Sequence, residues 1–89
     1  MAVYLVTYDL NKSGQNYEDL YKTLKQQFIA YNHIMESCWL VETNNTAQGV
    51  YELLKDALDS NDRILVTLIT DDRQGLLDKD AWQWIRDRV

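Results

Sequence analysis

The stretch M1-A-V-Y-L-V-T-Y-D-L10 decides the fold. Seven of the nine residues from Ala2 to Leu10 are apolar or aromatic. Val3, Tyr4, Val6, Thr7 and Tyr8 all favour extended backbone. The spacing predicts a strand over Ala2–Tyr8. Strict alternation puts Val3, Leu5 and Thr7 on one face and Tyr4, Val6 and Tyr8 on the other. Both faces are oily, the pattern of a central strand covered on two sides. Asp9 falls where this run ends. A carboxylate there is either the first residue of a turn, bonded to its own loop, or a ligand held on a rigid base.

Working outward, Asp9–Asn16 (D-L-N-K-S-G-Q-N) reads as a loop, with Asn16 as a helix N-cap. Tyr17, Leu20, Tyr21, Leu24 and Phe28 then recur at helical spacing, which predicts a helix over Tyr17–Ala30. Asn32 and His33 are expected to end it, and Ile34–Glu36 to begin a short strand. Cys38–Thr43 is a stronger strand. No glycine lies at Glu36–Ser37, so a bend or bulge, or one long kinked strand, is expected there rather than a tight hairpin. Asn44–Thr46 offers caps for a helix over Ala47–Leu58. Asp59–Asp62 reads as a turn. Arg63–Thr70 is another strand, apolar on both faces. After a polar loop at Asp71–Gly75, Asp78 caps a last helix from Lys79 to about Arg88, with Ala81, Trp82, Ile85 and Val89 on one side and Trp84 off it.

The order is strand, helix, one or two strands, helix, strand, helix. It implies one α+β domain: a ferredoxin-like β-α-β-β-α-β sandwich over residues 2–70 with an extra C-terminal helix within 76–89. Two helices on one sheet face leave the second face bare. The closing Trp-rich helix, a partner subunit, or both must cover it, and a two-fold homodimer is the expected arrangement. Eighty-nine residues bury only a modest core, which favours the same outcome.

Composition bounds the function. Apolar content of 46% and charged content of 26% are those of a folded globular protein, so disorder is not expected. No apolar run reaches membrane-spanning length, no signal-peptide pattern is present, and one cysteine excludes an intrachain disulfide. The cytoplasm is the default compartment. A net charge of −5 argues against extended DNA binding, which depends on Lys and Arg neutralising phosphates. It leaves room for RNA at a small site that uses a divalent cation.

Asp9 is the sharpest chemical candidate. In a two-fold dimer, two Asp9 carboxylates with phosphate oxygens and water make an acceptable Mg²⁺ site. His33 is the lone histidine and is read as a helix-end residue. Ser37 lacks the further groups of a nucleophilic triad. Cys38 is read as a buried, inert thiol. Lys12 and Arg73, one in each polar loop, are read first as solvated loop charges, with contact to a phosphate as the alternative. Tyr4, Trp39, Trp82 and Trp84 read as core and interface mass.

The segment Val6-Thr7-Tyr8-Asp9 resembles the opening of the second CRISPR-associated protein family, small ferredoxin-like homodimers. Glu36-Ser37-Cys38-Trp39-Leu40-Val41-Glu42, with its serine followed two residues later by an aromatic, is similar to that family's second conserved block. The virulence-associated protein D toxins share the fold and are an equal comparison. The resemblance covers about Ala2–Thr70. It implies either a metal-dependent nuclease acting on RNA, or a structural partner without catalysis, such as a defence-associated partner, antitoxin or regulator. Asp9 matches the family's aspartate proposed to hold Mg²⁺ at the dimer axis; Ser37 and Trp39 match positions with structural roles. The basic residues with which the CRISPR family grips DNA are scarce here, and Asp78–Val89 has no counterpart.

Overall fold

The computed structural model describes residues 1–11 and 17–89. Strand β1 (Ala2–Asp9) is followed by helix α1 (Tyr17–Gln27), strands β2 (Ala30–Met35) and β3 (Cys38–Thr43), and helix α2 (Ala47–Leu54). A single 3₁₀ turn, Lys55–Ala57, leads on to strand β4 (Arg63–Leu68), and helix α3 (Lys79–Arg86) closes the chain. The four strands form one sheet in the order β2-β3-β1-β4, with every neighbouring pair antiparallel. The architecture is α+β. Among the described residues, no helix is long and apolar enough to cross a membrane.

β1 lies between β3 and β4, and its two dry faces are covered from opposite sides of the sheet. Tyr4, Val6 and Tyr8 join Leu20 and Leu24 of α1, Val50 and Leu54 of α2, and Trp39 and Val41 of β3 in the larger core. Val3 faces the other way and packs with Leu40 and with Ile85 of α3. The closing helix therefore covers part of the second face. Trp84, expected to lie off the buried stripe, packs against this smaller cluster, and the Arg88 guanidinium sits 4.1 Å above its ring. Arg88 also pairs with Glu42 of β3 at 3.4 Å, fixing the helix end to the sheet.

Several expected boundaries move. α1 stops at Gln27, before the expected Ala30, because Ala30–Met35 is already strand. His33 is consequently a strand residue opposite Trp39, and not a helix end. The apolar Phe28 suits a helix face equally well, so its spacing did not mark the stop. Glu36–Ser37 is a tight two-residue connection between β2 and β3, contrary to the bend expected from the lack of glycine; a register shift does occur, but between His33 and Met35. Side-chain donors from elsewhere in the fold hold this turn. α2 is tightened into the 3₁₀ turn after Leu54, and β4 ends at Leu68.

Thr46 is the N-cap of α2, its hydroxyl accepting from the Gly49 N–H at 3.1 Å. Gly49 sits in a close approach: a Cβ there would stand 3.1 Å from the Asn45 Cβ, so Asn45 would have to shift by a few tenths of an ångström to admit a larger residue. Asp78 occupies the N-cap position of α3, but its side chain makes no cap bond. The expected cap Asn16 and most of the first loop lie outside the described residues.

Candidate functional site

Asp9 ends β1 with its side chain exposed. Its cross-strand partner is Arg63, the first residue of β4, so an acid and a base stand opposite each other at the end of the β1–β4 ladder. Opposite charges at such positions attract. The pair borders a shallow cleft of about 260 Å³ that Thr7, Tyr8, Ile64 and Leu65 complete. The Arg63 guanidinium also donates to the Asp62 carbonyl oxygen at 3.0 Å.

Mg²⁺ takes a near-octahedral oxygen shell and is usually bound by one or two carboxylates plus substrate phosphates. Among the described residues, no group of three His, Cys, Asp or Glu side chains could hold a metal. Asp9 brings a single carboxylate, and its cross-strand neighbour is a cation. Within one chain the donor set does not fit Mg²⁺; a site would need two chains to bring their Asp9 residues together.

The second block of residues forms a structural knot around one backbone oxygen. The Glu36 carbonyl faces the Tyr8 hydroxyl at 3.0 Å, the Tyr21 hydroxyl at 3.1 Å and the His33 Nε2 at 3.2 Å. Trp39 Nε1 donates to the Tyr8 oxygen at 3.0 Å, so this hydroxyl both donates and accepts. The His33 ring stacks on Trp39 at 4.4 Å and 16°, and Tyr21 meets both rings at an angle. The Ser37 carbonyl accepts from the Tyr8 N–H. This knot pins the β2–β3 turn to the middle strand without a glycine.

Burial, together with the adjoining Tyr21, pushes the Tyr8 phenol well above the ordinary tyrosine value of 10.0. The unfolded chain ionises this group near 10 and the folded chain holds its proton. Above pH 10 the folded state therefore binds more protons, and stability falls as pH rises, by about 1.4 kcal/mol per pH unit for one group. Below pH 10 the contribution is fully present. Urea titrations between pH 9 and pH 11 are expected to give a steeper alkaline loss in the native chain than in Tyr8→Phe.

Cys38 is only partly buried, contrary to the expected burial, and its thiol donates to the Thr7 hydroxyl at 3.4 Å. Arg73 donates to its own loop at the Thr70 carbonyl, 3.1 Å away. Its supposed companion Lys12 lies outside the described residues. The structure thus brings Asp9 to Arg63, a pairing the sequence reading missed. The signal was present only in combination: once β1 and β4 are antiparallel neighbours with Tyr4 opposite Leu68, Asp9 must fall opposite Arg63.

No protein-family model matches the chain, and no solved structure matches it at a significant level.

Proposed function

We propose that the chain is a ferredoxin-like β-α-β-β-α-β domain with a closing helix, working as a homodimeric protein-interaction module. The strand order β2-β3-β1-β4 with all pairs antiparallel supports the ferredoxin-like reading. The observation that carries the functional reading is β4. It is an outer strand, and Leu65 and Leu68 on it are 62% and 51% exposed. Apolar side chains on an open sheet edge favour association with another chain. Light scattering on the purified chain between 10 and 100 µM is the test. A mass near twice 10.5 kDa supports the reading, and the single-chain mass at every concentration overturns it.

A second reading is a Mg²⁺-dependent RNA phosphodiesterase with Asp9 at the dimer axis. It is favoured by the exposure of Asp9 at the end of a rigid central strand, with Arg63 opposite as a cation for phosphate. In it, the Asp9 carboxylates of two chains would hold the ion, and the ion would supply Lewis-acid activation of water. Labelled RNA and DNA incubated with Mg²⁺ or Mn²⁺, and with chelator, test it beside Asp9→Ala. Metal-dependent cleavage lost in the variant supports it. Equal cleavage by both proteins, or none by either, overturns it.

A further inference from the structure

We infer that the dimer forms by antiparallel pairing of β4 with β4 of a second copy, centred on Val66, to give one continuous eight-stranded sheet. This rests on the homodimer reading above and names the surface and register.

The backbone sets the register. Ile69 N–H donates to the Val3 carbonyl at 2.9 Å, so Ile69 points its polar groups inward to β1. In an antiparallel ladder the N–H and C=O of one residue point to the same side, and alternate residues point to opposite sides. Arg63, Leu65 and Thr67 therefore also face β1, and Ile64, Val66 and Leu68 turn three N–H and three C=O groups outward. Among the described residues, nothing bonds these six groups.

The two outer strands are treated differently. β2 carries the register shift between His33 and Met35, an irregularity of the kind that blunts an edge. β4 runs unbroken against β1 from Arg63 to Leu68, with no proline, lysine or bulge. Its single charge, Arg63, stands at one end.

A second copy fits this edge better than an arbitrary peptide because the edge is self-complementary. A two-fold axis perpendicular to the sheet at Val66 pairs Val66 with the partner's Val66 and Ile64 with the partner's Leu68. All six outward groups of each chain then bond, giving six hydrogen bonds across the axis. Leu68 gains the partner's Ile64 as a neighbour on the helix-covered face. Leu65 lies opposite the partner's Thr67 on the other face. Charge does not oppose the pairing: Arg63 falls opposite the partner's Ile69, so the two Arg63 residues stand at opposite ends of the seam. Two chains of net charge −5 thus meet along strands that carry no acidic residue.

This geometry also bears on Asp9. Arg63 and the partner's Arg63 are offset by six residues along the seam, about 20 Å, and the two β1 strands are three strand spacings apart, about 14 Å. The two Asp9 residues are then about 25 Å apart and cannot share an ion.

The test uses the full chain. Val66→Pro removes the central outward donor without touching the β1 ladder, since the Val66 N–H points away from β1; proline is tolerated at such edge positions. The expected result is a folded chain, by circular dichroism, whose light-scattering mass halves. Independently, Leu65→Cys and Thr67→Cys chains, each also carrying Cys38→Ser, are mixed and oxidised. Facing residues of a non-hydrogen-bonded pair have Cα atoms about 4.5 Å apart, within disulfide reach. A crosslinked dimer in the mixture, with little in either chain alone, is expected and remains decisive if the proline variant fails to fold. A dimer that survives Val66→Pro and gives no crosslink overturns the β4 seam while leaving the homodimer standing. A chain that is monomeric throughout overturns both.

Discussion

Trp39→Ala is expected to remove about 3–5 kcal/mol of folding stability, the largest loss of any single substitution considered for this chain. Trp39 is 1% exposed. It lies in the larger core, carries the stacked His33 ring, and donates to the Tyr8 oxygen. Truncation leaves a cavity beneath β2 and removes a donor from the Tyr8 hydroxyl. Small domains have only about 5–15 kcal/mol in total, so a large part of the population should unfold at moderate urea. Chemical denaturation followed by far-ultraviolet circular dichroism measures it. Trp39→Phe keeps most of the volume and should lose substantially less; equal losses in the two variants would show that packing at this site has been misjudged.

Asp62→Ala is expected to lower stability by about 2–3 kcal/mol through a different mechanism. Asp62 is 8% exposed, the one buried charged residue among those described. Its carboxylate accepts from the Asn11 N–H and the Asp59 N–H, each at 2.8 Å. One side chain thereby ties the turn before β4 to the chain leaving β1. Alanine strands both donors, and hydrogen bonds to a charged acceptor are among the stronger ones. Asp62→Asn retains one good acceptor and should recover part of the loss. Hydrogen exchange at the Asn11 and Asp59 amides gives a local readout; unchanged protection at both in Asp62→Ala would refute the assignment.

The sequence carried the central strand clearly. Ala2–Tyr8 is oily on both faces because β1 truly has α1 and α2 on one side and α3 on the other. Helical spacing likewise found α1, α2 and α3, since those stripes face a core. Other features were not legible because they depend on distant partners. Tyr31 and His33 alternate with Asn32 in a way that reads equally as a fraying helix; they are strand because Trp39 offers its ring to both. The Glu36–Ser37 turn lacks the usual glycine because its carbonyl is held by Tyr8, Tyr21 and His33, three residues spread along the sequence. Asp9 was visible as a candidate from its position alone. Its opposition to Arg63 depends on a pairing 54 positions away and could not be counted before the strand order was known.

The place of β1 between β3 and β4 has a consequence for how the chain is made. β1 comes before both of its neighbours in the chain, and one of them lies far downstream: Tyr4 waits for Leu68. Nascent β1 therefore emerges with both flanks unsatisfied, and its second ladder cannot close until Arg63–Leu68 has been made. Such long-range pairing folds slowly and leaves greasy segments open to misassociation meanwhile. Truncations that remove β4 should strand the opening segment as an aggregation-prone ribbon rather than leave a smaller folded domain.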